Sequence, residues 1–488
     1  MEEVAKEYFD ELLYRSLFQK SGKSSFTMHD LINDLAVFVS KGFCSRLEGR
    51  ESHEIERVRH LSYAKGEFDV ALKFEPLKGS KCLRTFLHTP LNLYKMGYLS
   101  KQVLQDLVPS LSCLRVLSLS LYENVNVLPD SIENLIHLRY LDLSYTTIER
   151  LPCVLCSLYN LQTLLLSYCL SLVELPTDMT KLINLQKLIL RGCKSLNKLP
   201  TDMRKLINLR HLDFSRTEIK EMPVQMGRLK SLRTLIAFVV GKSTGSTIGE
   251  LMELSHLRGK LSILKLQNVV DARDALQANL KDKKDLKVLE LALGADNADD
   301  SQKEKDVLDN LQPCMNLEEL TIRFYGGTNF PNWLGDKSFS NIQFMHLIDC
   351  SNCWSLPPVG GLPALKELRV GRMNSVQTIG VEFYGSTGSS LVQPFQSLEK
   401  LQFYRMPEWE EWVSSGSGGA DFPCLQQLIL KECPKLRGSL PRDLPFLKKL
   451  SVKGCGVLLL HDQRAASTRN MDSYKSLKEL KIEDGCHT

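Results

Sequence analysis

The chain has 488 residues, with 62 basic and 57 acidic side chains, a formal net charge of +5 and 43% hydrophobic residues. An imbalance so small and dispersed does not predict nucleic-acid binding, and no compact basic stripe stands out along the sequence. No apolar run approaches the roughly 20 residues needed to cross a bilayer, and the start Met1-Glu2-Glu3-Val4-Ala5-Lys6-Glu7 is charged where a signal peptide would be apolar.

Residues 1–50 carry no repeat. Val4, Tyr8, Leu12, Leu13 and Leu17 recur at helical spacing, so Glu3 to Phe18 reads as an amphipathic helix. Leu31 to Val39 reads as a second helix, with Asp30 or Thr27 as its cap. Two short helices are too little to fold unaided, and the head reads as the truncated end of a larger domain.

Residues 51–110 form a junction with atypical first repeats, whose strands are expected at Val58 to Tyr63 and Cys82 to Leu87. Regular repeats fill 111–240. The phrase Leu-x-x-Leu-x-Leu starts at Leu114, Leu138, Leu161 and Leu185 and returns as Leu209-x-x-Leu212-x-Phe214, with spacings of 24, 23, 24 and 24. Each phrase predicts a strand with its leucines inward and the intervening residues on the concave side. Between strands, Leu128-Pro129-Asp130-Ser131-Ile132-Glu133-Asn134-Leu135 predicts a proline-led turn burying Ile132 and Leu135. A lone unit leaves its leucines in water, and only the next unit covers them. The fold class is therefore α/β, a leucine-rich-repeat solenoid with parallel strands on the concave face, preceded by the helical head.

Residues 241–488 continue the repeat irregularly, with strands expected from Leu286, Leu317, Leu365, Leu398, Leu425, Leu447 and Leu477, a degenerate unit at Ile342-x-x-Met345-x-Leu347, and an atypical one within 257–269. Insertions interrupt them. Gly294 to Asp309 is acidic and reads as a solvated loop, while Gly385 to Ser390 and Ser414 to Gly419 are Gly/Ser-rich and read as mobile. Trp409 and Trp412 read as buried rather than as anchors for a partner.

Five of the fourteen cysteines, Cys169, Cys193, Cys350, Cys433 and Cys455, stand three residues after the last inward residue of a strand, as do Thr146 and Thr217. That periodic place is a core position beneath the turn, so these thiols are read as packing groups, not as metal ligands. No Ser/His/Asp or Cys/His constellation is supported by a motif, and an open repeat surface offers no enclosed reaction site; the expectation is a binding protein, not an enzyme. Strand alternation places the candidate contact residues Arg139, Tyr140 and Asp142; Arg210, His211 and Asp213; Glu318, Glu319, Thr321 and Arg323; and Lys366, Glu367 and Arg369 on the recognition face.

Tyr8-Phe9-Asp10-Glu11-Leu12-Leu13-Tyr14-Arg15-Ser16-Leu17-Phe18, followed by Phe26-Thr27-Met28-His29-Asp30-Leu31-Ile32-Asn33-Asp34-Leu35-Ala36, resembles the winged-helix end of the nucleotide-binding module in plant intracellular disease-resistance proteins of the coiled-coil class, RPP13-like group. Leu235 to Lys242, Leu257 to Leu261 and Leu266 to Val269 resemble the mid-repeat passage of that group. The resemblance implies that residues 1–50 are a winged-helix remnant and that Met28-His29-Asp30 is the family's signature. His29 would then sense the β-phosphate of ADP, and Asp30 would support the turn. A phosphate loop of the form Gly-x-x-x-x-Gly-Lys-Ser/Thr is not found: Gly241-Lys242-Ser243 supplies the ending, but Ile236 stands at the first glycine's place. No cofactor is expected independently; ADP or ATP belongs to a complete parent receptor.

The resemblance further implies the sensing and autoinhibitory repeat region of a plant immune receptor. Its partners would be a pathogen effector or a guarded host protein, and the nucleotide-binding module, with no nucleic acid. A cytoplasmic location is implied, with nuclear or peripheral-membrane presence compatible with it; the lack of any Asn-x-Ser/Thr site agrees. Two alternatives stand beside it: a stand-alone repeat adaptor or decoy, and a nonfunctional truncated receptor.

Overall fold

The structure, a computed structural model, describes residues 2–21, 25–40, 42–47, 57–89, 95–242, 245–294, 300–385, 393–416, 420–438, 440–441, 444–455 and 476–483. In the head, the helix Glu2–Tyr14 leads into an antiparallel hairpin, Phe18–Lys20 with Phe26–Met28, and then the helix Asp30–Ser40. The first helix is shorter than its apolar spacing predicts, because Phe18 leaves it to open the hairpin. There Phe9 packs against Phe18 and Phe26 at ring distances of 5.3 and 5.0 Å. The second helix buries none of its side chains; Leu31 and Phe38 are 72% and 75% exposed.

The chain divides into two compact units, residues 1–185 with 192–195, and 186–191 with 196–488. In the first, the strands Cys44–Leu47, His60–Ala64, Thr85–Thr89, Val116–Ser118, Tyr140–Asp142 and Thr163–Leu165 pair in parallel, each with the next. In the second, Lys187–Ile189, His211–Asp213 and Thr234–Leu235 pair likewise. The succession then restarts at Ala237–Val239 and continues through Gly259–Leu264, Leu286–Ala292, Glu319–Arg323, Phe344–Ile348, Glu367–Gly371, Lys400–Tyr404, Gln427–Lys431, Lys449–Lys453 and Glu479–Glu483. This is the leucine-rich-repeat solenoid that the leucine spacing predicts.

Its repeating parts have the expected chemistry. Leu138, Leu141 and Leu143 are fully buried, as are Leu161, Leu164 and Leu166. Ile132 and Leu135 are buried at the 3-10 turn Asp130–Asn134, whose preceding residue is Pro129. Two residues beyond the last inward side chain, the chain enters the left-handed region at Leu121, Tyr145, Tyr168 and Gly192 in the first unit. Arg216, Phe324, Asp349, Arg372, Arg405, Glu432 and Gly454 do so in the second. The following residue then points inward: Cys169, Cys193, Cys350, Cys433 and Cys455 are all fully buried. Thr146 Oγ1 donates to Leu143 O at 2.7 Å, Cys169 Sγ to the same carbonyl at 3.2 Å, and Cys193 Sγ to Leu166 O at 2.9 Å.

The structure departs from expectation where composition outweighed periodicity. Within the acidic insertion, Ser301–Asp309 is a helix and not a solvated loop. Asp300 caps it by accepting from Lys303 N, and it buries Val307, Leu308 and Glu304, whose carboxylate accepts the Gly326 N–H at 2.6 Å. The segments read as mobile fall at 386–390 and 417–419 outside the described residues. Trp409 is fully buried, and Trp412 packs against Phe403, Trp409 and Phe422 while donating to Tyr384 Oη at 3.1 Å.

Candidate functional site

Within each strand the residues that alternate with the leucines stand on the opposite side of the sheet, and one further residue precedes them at the strand's entry. In the first unit the position before the strand is arginine four times in succession, at Arg59, Arg84, Arg115 and Arg139. Each backbone carbonyl binds the next repeat: Arg59 O accepts from Arg84 N and Thr85 N at 2.7 and 3.0 Å, Arg84 O from Arg115 N and Val116 N at 2.7 and 2.9 Å, and Arg115 O from Arg139 N and Tyr140 N at 2.8 and 3.0 Å. Their Cα atoms are therefore stacked at strand spacing, about 4.8 Å.

This column is a basic stripe that a scan for clustered charge along the sequence does not find. Among the described residues none of the four forms an ion pair; the first unit's pairs lie elsewhere, as at Lys73–Asp69 and Lys181–Asp178. Arg59 instead lies over the Phe43 ring at 5.1 Å. The field is felt by His60, whose imidazole is held below its usual range by partial burial and then by Arg84, Arg59 and Arg115. Arg210, Arg233 and Arg258 hold the same position in the second unit, where Arg210 O accepts from Arg233 N at 2.8 Å and Arg233 O from Arg258 N at 2.8 Å.

Among the candidate contacts, Arg139 belongs to this column, Tyr140 and Asp142 follow it on the strand, and all three are half-buried. Burial, then Asp142, pushes the Tyr140 hydroxyl up to about 12. Asp142 is already engaged, since Oδ1 accepts the Ser144 N–H at 2.9 Å and Oδ2 accepts from Ser118 Oγ at 3.4 Å. Asp213 makes the same local bond to Ser215 N at 2.9 Å, and His211 Nδ1 lies 2.9 Å from Thr234 Oγ1. These two aspartates fasten the left-handed turn as much as they face solvent.

The later candidates form rows across parallel strands. Glu319, Phe344, Glu367 and Lys400 lie side by side in one row; Glu290, Thr321, His346, Arg369 and Gln402 in the next; Arg323, Ile348, Gly371 and Tyr404 in a third. The rows therefore bring Glu319 and Glu367 to either side of Phe344. Charges here are compensated between neighbours: Lys287–Glu318 at 2.9 Å, Lys400–Glu367 at 2.8 Å, Arg323–Glu290 at 3.7 Å and Lys449–Glu479 at 3.0 Å. Burial, opposed by Glu319 and Glu367, lowers the His346 imidazole. Arg369 lies over the Tyr404 ring at 5.4 Å and Arg323 over Phe324 at 5.3 Å. Lys366 is exposed before its strand, and its carbonyl accepts from Glu399 N and Lys400 N at 2.8 and 2.9 Å.

His29 and Asp30 stand apart from this face, exposed at the step from the hairpin to the second helix of the head. His29 Nδ1 accepts the Leu31 N–H at 3.3 Å, a helix-start bond that occupies one ring nitrogen. Gly241 and Lys242 follow the strand Ala237–Val239 in a repeat turn, with Gly241 N donating to Ser246 O at 3.0 Å. Among the described residues no strand-loop-helix cradle accompanies the histidine.

Residues 1–36 match the disease resistance protein winged helix domain, 98–196 a leucine-rich repeat region, and 248–373 the R13L1/DRL21 leucine-rich repeats. The chain is 42% identical over its full length to disease resistance RPP13-like protein 1 of Arabidopsis thaliana, covering 45% of that protein. It is 34% identical over 99% of its length to disease resistance protein RGA1 of Solanum bulbocastanum, covering 42% of it. The chain thus spans under half the length of these curated relatives. Among solved structures, a leucine-rich-repeat protein of Leptospira interrogans aligns over 88% of the chain and 91% of its own, with a TM-score of 0.53 and 19% identity, a likeness of fold alone. No helix among the described residues is long and apolar enough to cross a membrane.

Proposed function

The chain is a plant leucine-rich-repeat protein closely related to the RPP13-like and RGA disease-resistance proteins, and on that premise we propose that it is the sensing and autoinhibitory repeat region of an immune receptor. It binds a pathogen effector or a guarded host protein through its later repeats and restrains a nucleotide-dependent switch through its early ones. The observation that carries this reading is the contrast between the two faces. Four arginines without an ion pair stand in one column, a repulsion that an acidic partner would relieve, whereas the later face carries ion pairs from strand to strand. The early face therefore suits a standing electrostatic contact with an acidic polypeptide segment. The later face suits shape- and residue-specific recognition in which exposed ion pairs supply little net affinity. The head, with the apolar side chains of its second helix in solvent, suits docking onto the remainder of a nucleotide-binding module.

The test is co-purification of this chain with a separately expressed nucleotide-binding half from a matching receptor. Association is expected to weaken steeply with salt and to be lost on R84E with R115E, while E318Q leaves it intact. Association that survives the double charge reversal refutes the assignment of the arginine column. In the assembled complex, His29→Ala is expected to speed ADP release, and unchanged release removes His29 from the phosphate-sensing role.

A further inference from the structure

We propose that the turns of the later repeats form a receptor groove for a cationic side chain, an arginine or lysine of a partner polypeptide. The proposal rests on the recognition role above only in taking the partner to be a protein. The strands Glu319–Arg323, Phe344–Ile348 and Glu367–Gly371 are each followed by a turn, and the three turns enclose a groove of about 580 Å³. Thr328 lines it from the first turn, Trp354 and Ser355 from the second, and Gln377, Thr378 and Glu382 from the third. Two further lining residues fasten the walls: Asn352 Nδ2 donates to Gly326 O at 3.0 Å, and Ser375 Oγ to Ser351 O at 2.8 Å. Trp354 N also donates to Thr328 O at 3.3 Å. The groove is thus preorganised, which lowers the ordering cost of binding.

Its chemistry selects a cation. Trp354 is 61% exposed, whereas Trp333 and Trp409 are buried. An indole left in water beside a fixed groove is the kind of group that dominates interface energetics once covered. Glu382 is the one charged residue of the lining, no basic side chain joins it, and among the described residues no hydrogen bond or ion pair holds its carboxylate. A Cβ at position 380 would strike Glu382 Oε2, so Gly380 leaves the carboxylate room where it lies. The backbone of the next repeat closes against this turn. Glu410 N donates to Gln377 O at 2.7 Å, and Glu411 pairs with Thr378 in the small ladder Thr378–Ile379 with Glu411–Trp412. Both glutamates are exposed and lack an ion pair among the described residues, unlike Glu408, which Lys435 holds at 2.5 Å. An indole face, the Glu382 carboxylate and hydroxyl and amide acceptors together suit a guanidinium or ammonium group stacked on the ring. A sugar could also stack on Trp354 and donate a hydroxyl to Glu382, but it carries no positive charge to pair with the carboxylate, which is what the titration below separates.

The experiment uses the full chain labelled with 5-fluorotryptophan, whose four tryptophans give four fluorine signals. Trp354→Phe identifies the relevant signal by removing it. Titration with acetylated tetra-arginine amide is expected to move the Trp354 signal saturably, and Glu382→Gln to weaken the apparent affinity by about threefold to fivefold, the size of one exposed charge contact. Tetra-glutamate and maltohexaose are expected to leave the signal in place. No shift with tetra-arginine, an affinity unchanged by Glu382→Gln, or a shift with maltohexaose would each overturn the proposal. The arginine column binds no tetra-arginine, so failure here leaves the co-purification result standing or falling by itself.

Discussion

Asp69 is the residue on which the first repeats depend most. It is 2% exposed, and its carboxylate collects Lys73 Nζ at 2.5 Å, Tyr122 Oη at 2.5 Å and the Gly66 N–H at 3.2 Å. Tyr122 Oη in turn lies 3.1 Å from Tyr63 Oη, and Lys73 also donates to Ala64 O at 2.6 Å and lies over the Tyr63 ring at 5.2 Å. Burial drives the hydroxyls of both tyrosines far above their ordinary range, so both stay neutral: Tyr122 donates to the Asp69 carboxylate and Tyr63 hydrogen-bonds to Tyr122. Removing one partner of such a buried pair strands the other, at about 3–5 kcal/mol. The side chain of Lys73 is 21% exposed and recovers part of its hydration, which places Asp69→Ala near the lower figure, about 3 kcal/mol.

Asp69→Asn can keep its one carbonyl oxygen for Tyr122 and Gly66 but turns its NH2 toward the Lys73 ammonium, losing that acceptor as well as the charge, so it is expected to cost somewhat less than Asp69→Ala, about 2 kcal/mol. Because a repeat array unfolds in parts, the assay is hydrogen exchange at the strand amides of His60–Ala64 and Thr85–Thr89, supported by urea unfolding. A double-mutant cycle with Lys73→Met is expected to return a coupling on the order of 2 kcal/mol. A coupling near zero, or Asp69→Ala exchange protection equal to wild type, refutes the network as the clamp of these repeats.

Three further outcomes follow from particular contacts. Lys283 is 2% exposed, donates to Leu251 O and Leu254 O at 2.7 and 3.0 Å, and burial lowers it from 10.5 to about 8. Its folded value lies below its unfolded one, so the unfolded chain binds more protons between those limits and stability rises there with pH, by up to about 3 kcal/mol. Urea unfolding of wild type minus Lys283→Met from pH 7 to 10.5 reads that slope, and a flat difference contradicts it. Gly192, at φ +77°, lies where a Cβ would meet the Tyr168 ring at 2.7 Å. Gly192→Ala is expected to cost about 2 kcal/mol and to disturb the Tyr145–Tyr168 stack, read by near-ultraviolet circular dichroism. Asn184 Nδ2 donates to Tyr159 O at 2.8 Å, and Asn184→Ala is expected to cost about 1 kcal/mol in urea unfolding while leaving the fold intact.

How much of this was legible depended on whether the signal was periodic. The leucines of 111–240 named their strands because each inward position recurs at one spacing and must be covered by its neighbour. The junction strands fall where Val58–Tyr63 and Cys82–Leu87 were expected, shifted toward the C-terminal end as His60–Ala64 and Thr85–Thr89, while the 3-10 segment Ala71–Leu77 and the π-helical one Val103–Leu107 between them and the regular repeats were not anticipated. The helix Ser301–Asp309 was hidden because its apolar pair, Val307 and Leu308, sits among acids and its cap, Asp300, looks like one more surface charge. Asn160 and Asn184, each donating to a carbonyl of the preceding repeat at 2.8 Å, occupy the place directly before the first leucine, and that Asn-Leu pair was in plain view.

The arginine column shows best why composition misled. A net charge of +5 over 488 residues predicts nothing local, because a solenoid sorts residues by phase in the repeat and not by nearness along the chain. Leu83-Arg84, Leu114-Arg115 and Leu138-Arg139 lie 24 to 31 residues apart in sequence, yet their backbones are hydrogen-bonded neighbours in space. Stacking like charges at strand spacing opposes folding through mutual repulsion, weakly in water but cumulatively, and a soluble surface has no structural need for it. The later repeats show that the fold has a ready remedy, since there Lys287, Lys400 and Lys449 each find a glutamate on the adjoining strand. Where that remedy is not used, in four consecutive repeats, the proposed reading assigns the compensating carboxylates to a bound partner, where they would be worth more than in solvent because the contact excludes water.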